Sequence, residues 1–368
     1  MFFDQILISS SDENIFGTLI EISSDSQSPP FWSSQIKDKA HLHLFDLREV
    51  ALTHFPVQII DSFSYNGEPA ALFHVQYLYP VINEFIIVES WFTHSGLRKP
   101  FLFFQQPDIA SQFAPFMNKI TYLIVDKIPP RPHDYLLTFF SDQRDHDTFW
   151  RENYQRIIGQ QYLQKKANDP SSPISLDRTI VLCVDSDELI DRKTLSTFRD
   201  LKFFPQNSST NSRHRTESTT PSSLFSDQQK VKIRMALFYY NFNWSADTPW
   251  DLAFLTDLRS YLLIQDFLGA RVTMEPKDYF ISNSGWHLSY FSSIDDIIRK
   301  IESMAHREFD LEEFKLREEV KRRVREGRDL YHREDIHFLR FDLESNEMAL
   351  PEGWNDFQKV LLQIQELA

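Results

Sequence analysis

Three short apolar segments, each closed by polar or acidic residues, constrain the fold of this chain more than any other feature. They lie at residues 84–90, 120–126 and 179–185. Each has the length of a strand and is apolar almost throughout, which is typical of strands covered on both faces. Residues 148–166 carry apolar side chains at helical spacing and predict a crossover helix between the second and third segments. This alternation predicts an α/β fold with a doubly wound parallel sheet, whose ligands gather at the carboxyl ends of the strands.

The rest of the chain divides by composition. Residues 1–40 predict a loosely ordered lead-in or a peripheral strand or two, residues 41–330 a single domain, and residues 331–368 a C-terminal extension. Inside the domain, the Ser- and Thr-rich tract at 206–227 predicts a flexible surface insertion. Apolar spacing predicts the remaining elements: a short helix at 75–82, one or two long strands at 231–244, an apolar and aromatic stretch at 278–291, and helices at 295–309 and 311–330.

Charge and composition exclude several classes of protein. The net charge of −14 argues against nucleic acid as a partner, because binding a phosphate backbone needs clustered Lys and Arg. With Cys183 as its single cysteine, the chain forms no internal disulfide. No apolar run approaches the length of a membrane span, and no signal segment is recognisable. We therefore expect a soluble, cytoplasmic protein without a membrane anchor.

The motif Asp185-Ser186-Asp187-Glu188 is the strongest chemical signal in the sequence. Because it directly follows a predicted strand, the carboxylates of Asp185 and Asp187 can reach the same ion. Carboxylate oxygens suit Mn²⁺ or Mg²⁺, which keep open positions for a diphosphate. The alternative is a solvated acidic turn, which is common in acidic chains.

Several further motifs occur in a fixed order around this one. They are Phe45-Asp-Leu-Arg48, Phe85-Ile-Ile-Val-Glu-Ser90, Thr93-His-Ser-Gly96, Lys99-Pro100, Glu152-Asn-Tyr-Gln-Arg156, Ala236-Leu-Phe-Tyr-Tyr-Asn-Phe-Asn-Trp244, Gly285-Trp-His-Leu-Ser-Tyr-Phe291 and Lys300-Ile-Glu-Ser-Met-Ala-His306. Through them the chain resembles glycosyltransferase family 17 over residues 41–310. The resemblance implies an inverting enzyme with a Rossmann-like sheet of the GT-A type. It also implies a UDP-sugar donor, with N-acetylglucosamine as the expected sugar, and a glycan or glycoprotein acceptor.

That chemistry needs a metal ion for the leaving diphosphate and a base for the acceptor hydroxyl. We assign Asp185, Asp187 and His306 to the metal, with His287 as the rival of His306. For the base, we expect Glu302, which would share a helical face with His306 at a spacing of four residues. The alternative base is Glu188.

The remaining site residues belong to the substrates. Donor-binding candidates are the residues that follow the first apolar segment, together with Asp185 and a helical arginine: Glu89, Thr93, His94, Lys99 and Arg156. The alternative for these is an ordinary polar loop and a helix salt bridge. Acceptor-binding candidates are Trp244, Trp286 and His287, since large aromatic side chains stack on sugars, although most residues in such apolar runs are core.

Two other functions remain open from the sequence. One is a catalytically silent module of the same fold that binds a nucleotide or a glycan. The other is a metal-dependent phosphohydrolase built on the same acidic strand end.

Overall fold

The computed structural model describes residues 6–7, 57–133, 135, 146–176, 178–200, 229–275, 278–346 and 349–366. The predicted insertion at 206–227, the motif at residues 45–48 and the predicted lead-in apart from residues 6–7 lie outside these described residues. In chain order the strands are β1 (Ile6–Leu7), β2 (Gln58–Ser64), β3 (Glu84–Ser90), β4 (Ile120–Val125), β5 (Thr179–Cys183), β6 (Glu188–Ile190), β7 (Val231–Ile233), β8 (Ala236–Tyr239), β9 (Trp244–Ala246), β10 (Phe254–Asp257), β11 (Tyr279–Ile281), β12 (Gly285–Ser289) and β13 (Phe338–Arg340).

The α-helices complete the described elements. They are α1 (Ala70–Leu78), α2 (Leu102–Gln105), α3 (Pro107–Phe113), α4 (His146–Ala167), α5 (Arg192–Asp200), α6 (Leu258–Tyr261), α7 (Phe267–Val272), α8 (Ile294–Ser303), α9 (Arg317–Glu326) and α10 (Trp354–Ile364). Short 3-10 helices cover Ala114–Lys119, Arg307–Phe309 and Glu312–Phe314. Among these, α4 confirms the predicted crossover helix and α1 confirms the short helix, although α1 begins earlier than expected.

The larger sheet has eight described strands in the order β1-β4-β3-β2-β5-β10-β7-β11. The strands from β1 to β5 in this order are all parallel, which confirms the prediction for the three apolar segments. The parallel pairing predicted from these segments does not extend through the whole sheet, which is mixed, because β10 runs antiparallel to both β5 and β7. The sequence could not show this, since all four residues of β10 are buried like those of a parallel central strand.

A second sheet, not predicted from the sequence, has five described strands in the order β13-β9-β8-β12-β6. The expected one or two long strands at 231–244 are in fact three short ones, of which β7 belongs to the first sheet and β8 and β9 to the second. The apolar stretch at 278–291 is likewise divided between β11 and β12. An apolar run keeps the same appearance when the chain passes from one sheet to another, so periodicity alone does not reveal the break.

Helices cover both faces of the first sheet. Alternate residues of β3 point to opposite sides: Phe85 and Ile87 lie in one core cluster with α1, and Ile86 and Val88 lie in another with α4. This two-sided burial explains why the strands are apolar along their length. The fold is therefore α/β with helices on both faces of the first sheet.

The predicted helix at 295–309 is shorter than expected. Helix α8 begins at an N-cap, Ser293, whose side chain accepts a hydrogen bond from the Asp296 backbone, and it ends at Ser303, after which Met304 is extended. The helix expected at 311–330 is represented by α9 and a preceding 3-10 helix. No described helix combines the length and the apolarity that crossing a bilayer requires.

Candidate functional site

The site lies where the order of the strands reverses. From β2 the chain continues to β3 and β4 on one side, whereas β5 pairs with the other edge of β2. The carboxyl ends of β2 and β5 therefore border a crevice, and such a crevice is where doubly wound sheets bind ligands. Asp185 follows β5, and the turn containing Glu68 follows β2.

Asp185 lies between two arginines. Arg156 of α4 donates to its Oδ1 and Arg271 of α7 donates to its Oδ2, the latter at 2.8 Å. Burial alone would raise the pKa of Asp185, but Arg271 and Arg156 outweigh it and hold that pKa below the ordinary value. The carboxylate is thus ionised, and it is about a third exposed (34%) at the crevice.

Glu188, in contrast, is fully buried. Arg271 donates to both of its carboxylate oxygens, at 2.6 and 3.2 Å, the Asp185 backbone donates to Oε2, and the indole of Trp250 donates to Oε1. Because Glu188 begins β6 and Arg271 also holds Asp185, this network fixes the acidic motif at the junction of the two sheets. The surroundings of Glu188 are those of a structural carboxylate.

Asp187 is held by a lysine from a distant part of the chain. Lys300 of α8 donates to Asp187 Oδ2 at 2.9 Å, and His287 Nε2 of β12 lies 3.7 Å from the same oxygen. Burial opposes ionisation of Asp187, but Lys300 and His287 lower its pKa far below the ordinary value. Asp187 is therefore a buried, ionised carboxylate with a cationic partner.

A narrow cleft beside Asp187 brings in a fourth carboxylate. Glu68 lines it together with Asp187, Lys300 and Tyr290. Burial raises the pKa of Glu68, and the nearby Lys300 partly offsets that effect. Gly67, just before Glu68, has a φ of +92° and a position where a Cβ would meet the Leu102 side chain at 2.5 Å, so this turn requires glycine.

Glu302 and His306 lie at the end of α8 and do not share a helical face, because the helix ends at Ser303 between them. Glu302 is 45% exposed and lies 3.6 Å from Lys315. The ring of His306 contacts Glu308 at 2.7 Å and packs edge-on against Phe149. The prediction that Glu302 and His306 share one helical face is therefore wrong.

The end of α8 nevertheless borders the crevice. The Ser303 side chain accepts a hydrogen bond from Asn66 of the segment after β2, and its carbonyl accepts one from Ser95 of the segment after β3. Glu302 is consequently next to a residue that joins two of the loops at the carboxyl edge of the sheet.

The predicted donor-binding residues after β3 have different surroundings. Glu89 is fully buried and accepts hydrogen bonds from Lys99, Tyr122 and two backbone amides, so Glu89 and Lys99 anchor the chain where α2 begins. Thr93 accepts a hydrogen bond from the Leu97 backbone, which closes a local turn. These contacts match the alternative of a structural polar loop.

His94 is connected to the acidic motif through a helix. Its Nδ1 lies 4.0 Å from Glu152, which in turn lies 3.6 Å from Arg156, the partner of Asp185. Burial lowers the pKa of His94, although the nearby Glu152 opposes this. His94 and Arg156 are thus the two donor-binding candidates that reach towards Asp185.

The two tryptophans predicted to bind the acceptor contact other parts of the fold. The ring of Trp244 packs on Gly327, the left-handed residue that ends α9. Trp286 donates its indole hydrogen to the Ala349 carbonyl at 2.8 Å and packs edge-on against Tyr77. His287 is the acceptor-binding candidate that lies at the acidic motif, where its ring packs edge-on against Trp250.

Whether the acidic motif suits a metal ion depends on its donor atoms. Within the described part of the chain, no group of three or more His, Cys, Asp or Glu side chains is arranged to hold a metal. Mg²⁺ and similar ions, however, are often bound by one or two carboxylates together with substrate phosphates and water. Asp185 and Asp187 are both ionised, and a carboxylate has about four acceptor positions. The oxygens of this pair are therefore of the kind that such ions use, and in this structure they accept hydrogen bonds from Arg156, Arg271 and Lys300.

Sequence reasoning missed three residues of this site: Glu68, Arg271 and Lys300. Lys300 begins one of the motifs on which the family resemblance rests, and this was the one signal that could have pointed to it. Arg271 lies 86 residues from Asp185, and Lys300 lies 113 residues from Asp187. Contacts over such separations follow from tertiary packing and have no local pattern.

The comparisons with known proteins bear on the same acidic motif. A model of glycosyltransferase family 17 matches residues 30–214, just over half of the chain. No curated protein and no solved structure matches the chain. The matched residues include the acidic motif, Glu68 and Arg156, but end before Arg271, His287 and Lys300. The chain belongs to glycosyltransferase family 17.

Proposed function

We propose that this protein is a metal-dependent, inverting glycosyltransferase that moves N-acetylglucosamine from a UDP-sugar to a glycan or glycoprotein acceptor. Family membership implies glycosyl transfer. The observation that carries the finer proposal is the position of Asp185 and Asp187: two ionised aspartates at the switch point, with Arg156, Arg271 and Lys300 around them. Such a site can bind an anionic diphosphate together with a cation.

The order of the strands supports a GT-A-type sheet. The order β4-β3-β2-β5 corresponds to the 3-2-1-4 order of a doubly wound nucleotide-binding sheet. In that arrangement a nucleotide lies across the carboxyl ends of the strands, and here Glu68, His94 and Asp185 all follow those ends.

The charges of the site support a requirement for a metal. Asp185, Asp187 and Glu188 are matched by Arg156, Arg271 and Lys300, so the described cluster is close to neutral before any ligand binds. A diphosphate alone would bring uncompensated negative charge into this cluster, whereas a diphosphate with Mn²⁺ or Mg²⁺ would not. When bound by Asp185 and Asp187, the ion would neutralise the charge that develops on the leaving diphosphate.

For the proton acceptor, we propose Glu302. Its carboxylate is 45% exposed, so an acceptor hydroxyl can approach it from solvent, and it precedes Ser303, which joins two loops at the carboxyl edge of the sheet. Glu188 suits this role less well, since it is buried and already accepts four hydrogen bonds. Direct displacement at the anomeric carbon, with Glu302 taking the hydroxyl proton, is the inverting reaction.

The proposal is tested by calorimetric titration of UDP-N-acetylglucosamine with Mn²⁺ or with a chelator, followed by assays of donor hydrolysis and transfer. We expect binding that requires Mn²⁺ in the wild type and is lost in Asp187→Asn. The matched control is Asp278→Asn, which removes another buried aspartate that is paired with a lysine, Lys230, outside the site. Equal binding by wild type and Asp187→Asn would contradict the proposal.

The same titration separates the alternatives. A silent module of this fold is favoured by the ion pairs that engage both aspartates in the free protein, and it would bind the nucleotide with neither hydrolysis nor transfer. A phosphohydrolase would cleave a simple phosphate ester in the absence of any nucleotide.

A further inference from the structure

Lys300 occupies an unusual position in the candidate site. Its ammonium group donates to Asp187 Oδ2 at 2.9 Å, lies 5.3 Å from the centre of the Tyr290 ring, and lines the same cleft as Glu68. It comes from α8, outside the part of the chain that matches the family model. A lysine is thus bonded directly to an aspartate that the proposed function assigns to a metal ion.

A counter-ion for Asp187 is a physical necessity in the free protein. The Asp187 side chain is only 8% exposed, and a buried carboxylate without a partner is strongly destabilising. A divalent ion that binds Asp187 would also neutralise its charge. The ammonium and the metal ion are then rivals for one carboxylate, since like charges at such short range repel each other.

We propose that Lys300 is a tethered cation that neutralises Asp187 in the free protein, yields this carboxylate to the metal ion, and then binds the diphosphate of the donor. This inference rests on the proposed function and deepens it. Glu68 and the Tyr290 ring border the cleft on the side of Lys300, so the ammonium group keeps a carboxylate and an aromatic face nearby when Asp187 is taken. In the absence of the donor, Lys300 therefore competes with the metal ion for Asp187. When the donor is bound, Lys300 and the metal ion both bind its diphosphate.

The consequence is a coupling between the two ligands. Without a nucleotide, Lys300 weakens metal binding by competing for Asp187. With a diphosphate bound, the ammonium has a better partner, and the metal ion binds Asp187 without that competition. Linkage requires that the metal strengthen nucleotide binding by the same factor, and such couplings typically amount to about 5- to 150-fold.

The test measures binding of Mn²⁺ alone, by electron paramagnetic resonance of the free ion, to wild type, Lys300→Met and Lys300→Arg. We expect Lys300→Met to bind Mn²⁺ more tightly than wild type, by roughly 5- to 150-fold, and Lys300→Arg to remain close to wild type because it keeps the charge. In the same samples UDP, titrated at saturating Mn²⁺, should bind Lys300→Met more weakly than wild type.

The matched control is Lys166→Met. Lys166 is 27% exposed and pairs with Glu84, which is 13% exposed, against 28% and 8% for Lys300 and Asp187. Glu84 begins β3 and so lies at the opposite edge of the sheet from the site. This variant should keep wild-type affinity for both ligands, and thermal unfolding of each variant checks that it is folded.

The outcomes distinguish the inference from the proposed function. If folded Lys300→Met binds Mn²⁺ no more tightly than wild type while wild type binds UDP with Mn²⁺, the inference is overturned and the function stands. If UDP binds Lys300→Met as tightly as wild type, Lys300 has no role at the diphosphate and the inference fails in that part. If wild type binds neither ligand, the proposed function fails and takes the inference with it.

Discussion

Glu188 and Glu302 are two carboxylates with opposite surroundings, and this contrast leads to different expectations for the same substitution. Glu188 is enclosed by Arg271, Trp250 and the Asp185 backbone, whereas Glu302 is 45% exposed. We expect Glu302→Gln to lower transfer by about 10²- to 10⁴-fold, the usual contribution of a general base, with donor affinity and thermal stability unchanged. Steady-state kinetics and calorimetry on the variant measure both quantities.

Glu188→Gln should behave in the reverse manner. It replaces a buried charge that compensates Arg271, so its first effect is on folding: urea denaturation should show a lower free energy of unfolding. Wild-type turnover by Glu302→Gln, or full stability of Glu188→Gln, would contradict this division of roles.

Lys232 provides a prediction about pH. Burial, together with the nearby Lys230 and Arg271, lowers the pKa of Lys232 to about 7. In the unfolded chain its pKa is about 10.4. Between these two values the unfolded state binds more protons than the folded state at this residue. The free energy of unfolding should therefore rise with pH from about 7 to about 10, by up to ~1.4 kcal/mol per pH unit from this residue.

Urea denaturation of wild type and Lys232→Met at several pH values isolates that contribution. The slope should be smaller in Lys232→Met, and Lys359→Met, which removes an exposed lysine of α10, should keep the wild-type slope. Identical slopes in wild type and Lys232→Met would mean that Lys232 keeps an ordinary pKa in the folded protein.

At the scale of elements, the end of α9 depends on a glycine. Gly327 is left-handed, with a φ of +62°, and a Cβ there would meet the Trp244 ring at 2.2 Å. Gly353, before α10, has a φ of +84° but its Cβ would lie 3.6 Å from Phe73, an ordinary contact. Both Gly→Ala variants carry backbone strain, and Gly327→Ala adds a clash. We expect Gly327→Ala to be less stable than Gly353→Ala by about 1–3 kcal/mol in denaturant unfolding.

The sequence could predict those elements whose pattern of apolar and polar residues lies within the element itself. The strands β3, β4 and β5 were predicted nearly to the residue, because apolar runs buried on both faces end where polar residues begin. The position of Asp185 and Asp187 at a strand end followed from the same signal. The end of α8 was missed because Met304 and Ala305 continue the apolar face after the helix has stopped, and both still pack in the core.

The partners of the acidic motif could not be predicted locally. Arg271 and Lys300 come from short helices far along the chain, and charged residues on helices are usually solvated. Their side chains are instead directed at the carboxyl edge of the first sheet, an arrangement that only the tertiary structure creates. The sequence therefore suggested His306 as a neighbour of the two aspartates. In the structure His306 contacts Glu308, and the aspartates are held by Arg271 and Lys300.

At the scale of the whole molecule, Arg271 joins the two sheets. Asp185 follows β5 of the first sheet, Glu188 begins β6 of the second, and Arg271 binds both carboxylates while being only 2% exposed. Removing this guanidinium would leave Glu188 as an uncompensated buried charge. We expect Arg271→Met to lower the free energy of unfolding by about 3–5 kcal/mol, measured by urea denaturation.

A second substitution tests whether the charge is the cause. Arg271→Met combined with Glu188→Gln should recover part of the lost stability, because the partner is then neutral, and the two changes should be far from additive. The control is Arg234→Met, which breaks a two-bonded pair with Asp251 that is partly exposed, and it should cost less than Arg271→Met because solvent can reach the carboxylate left behind. If Arg271→Met were no more destabilising than Arg234→Met, the acidic motif would be held at the junction of the sheets by backbone pairing, and the charge network would serve ligand binding alone.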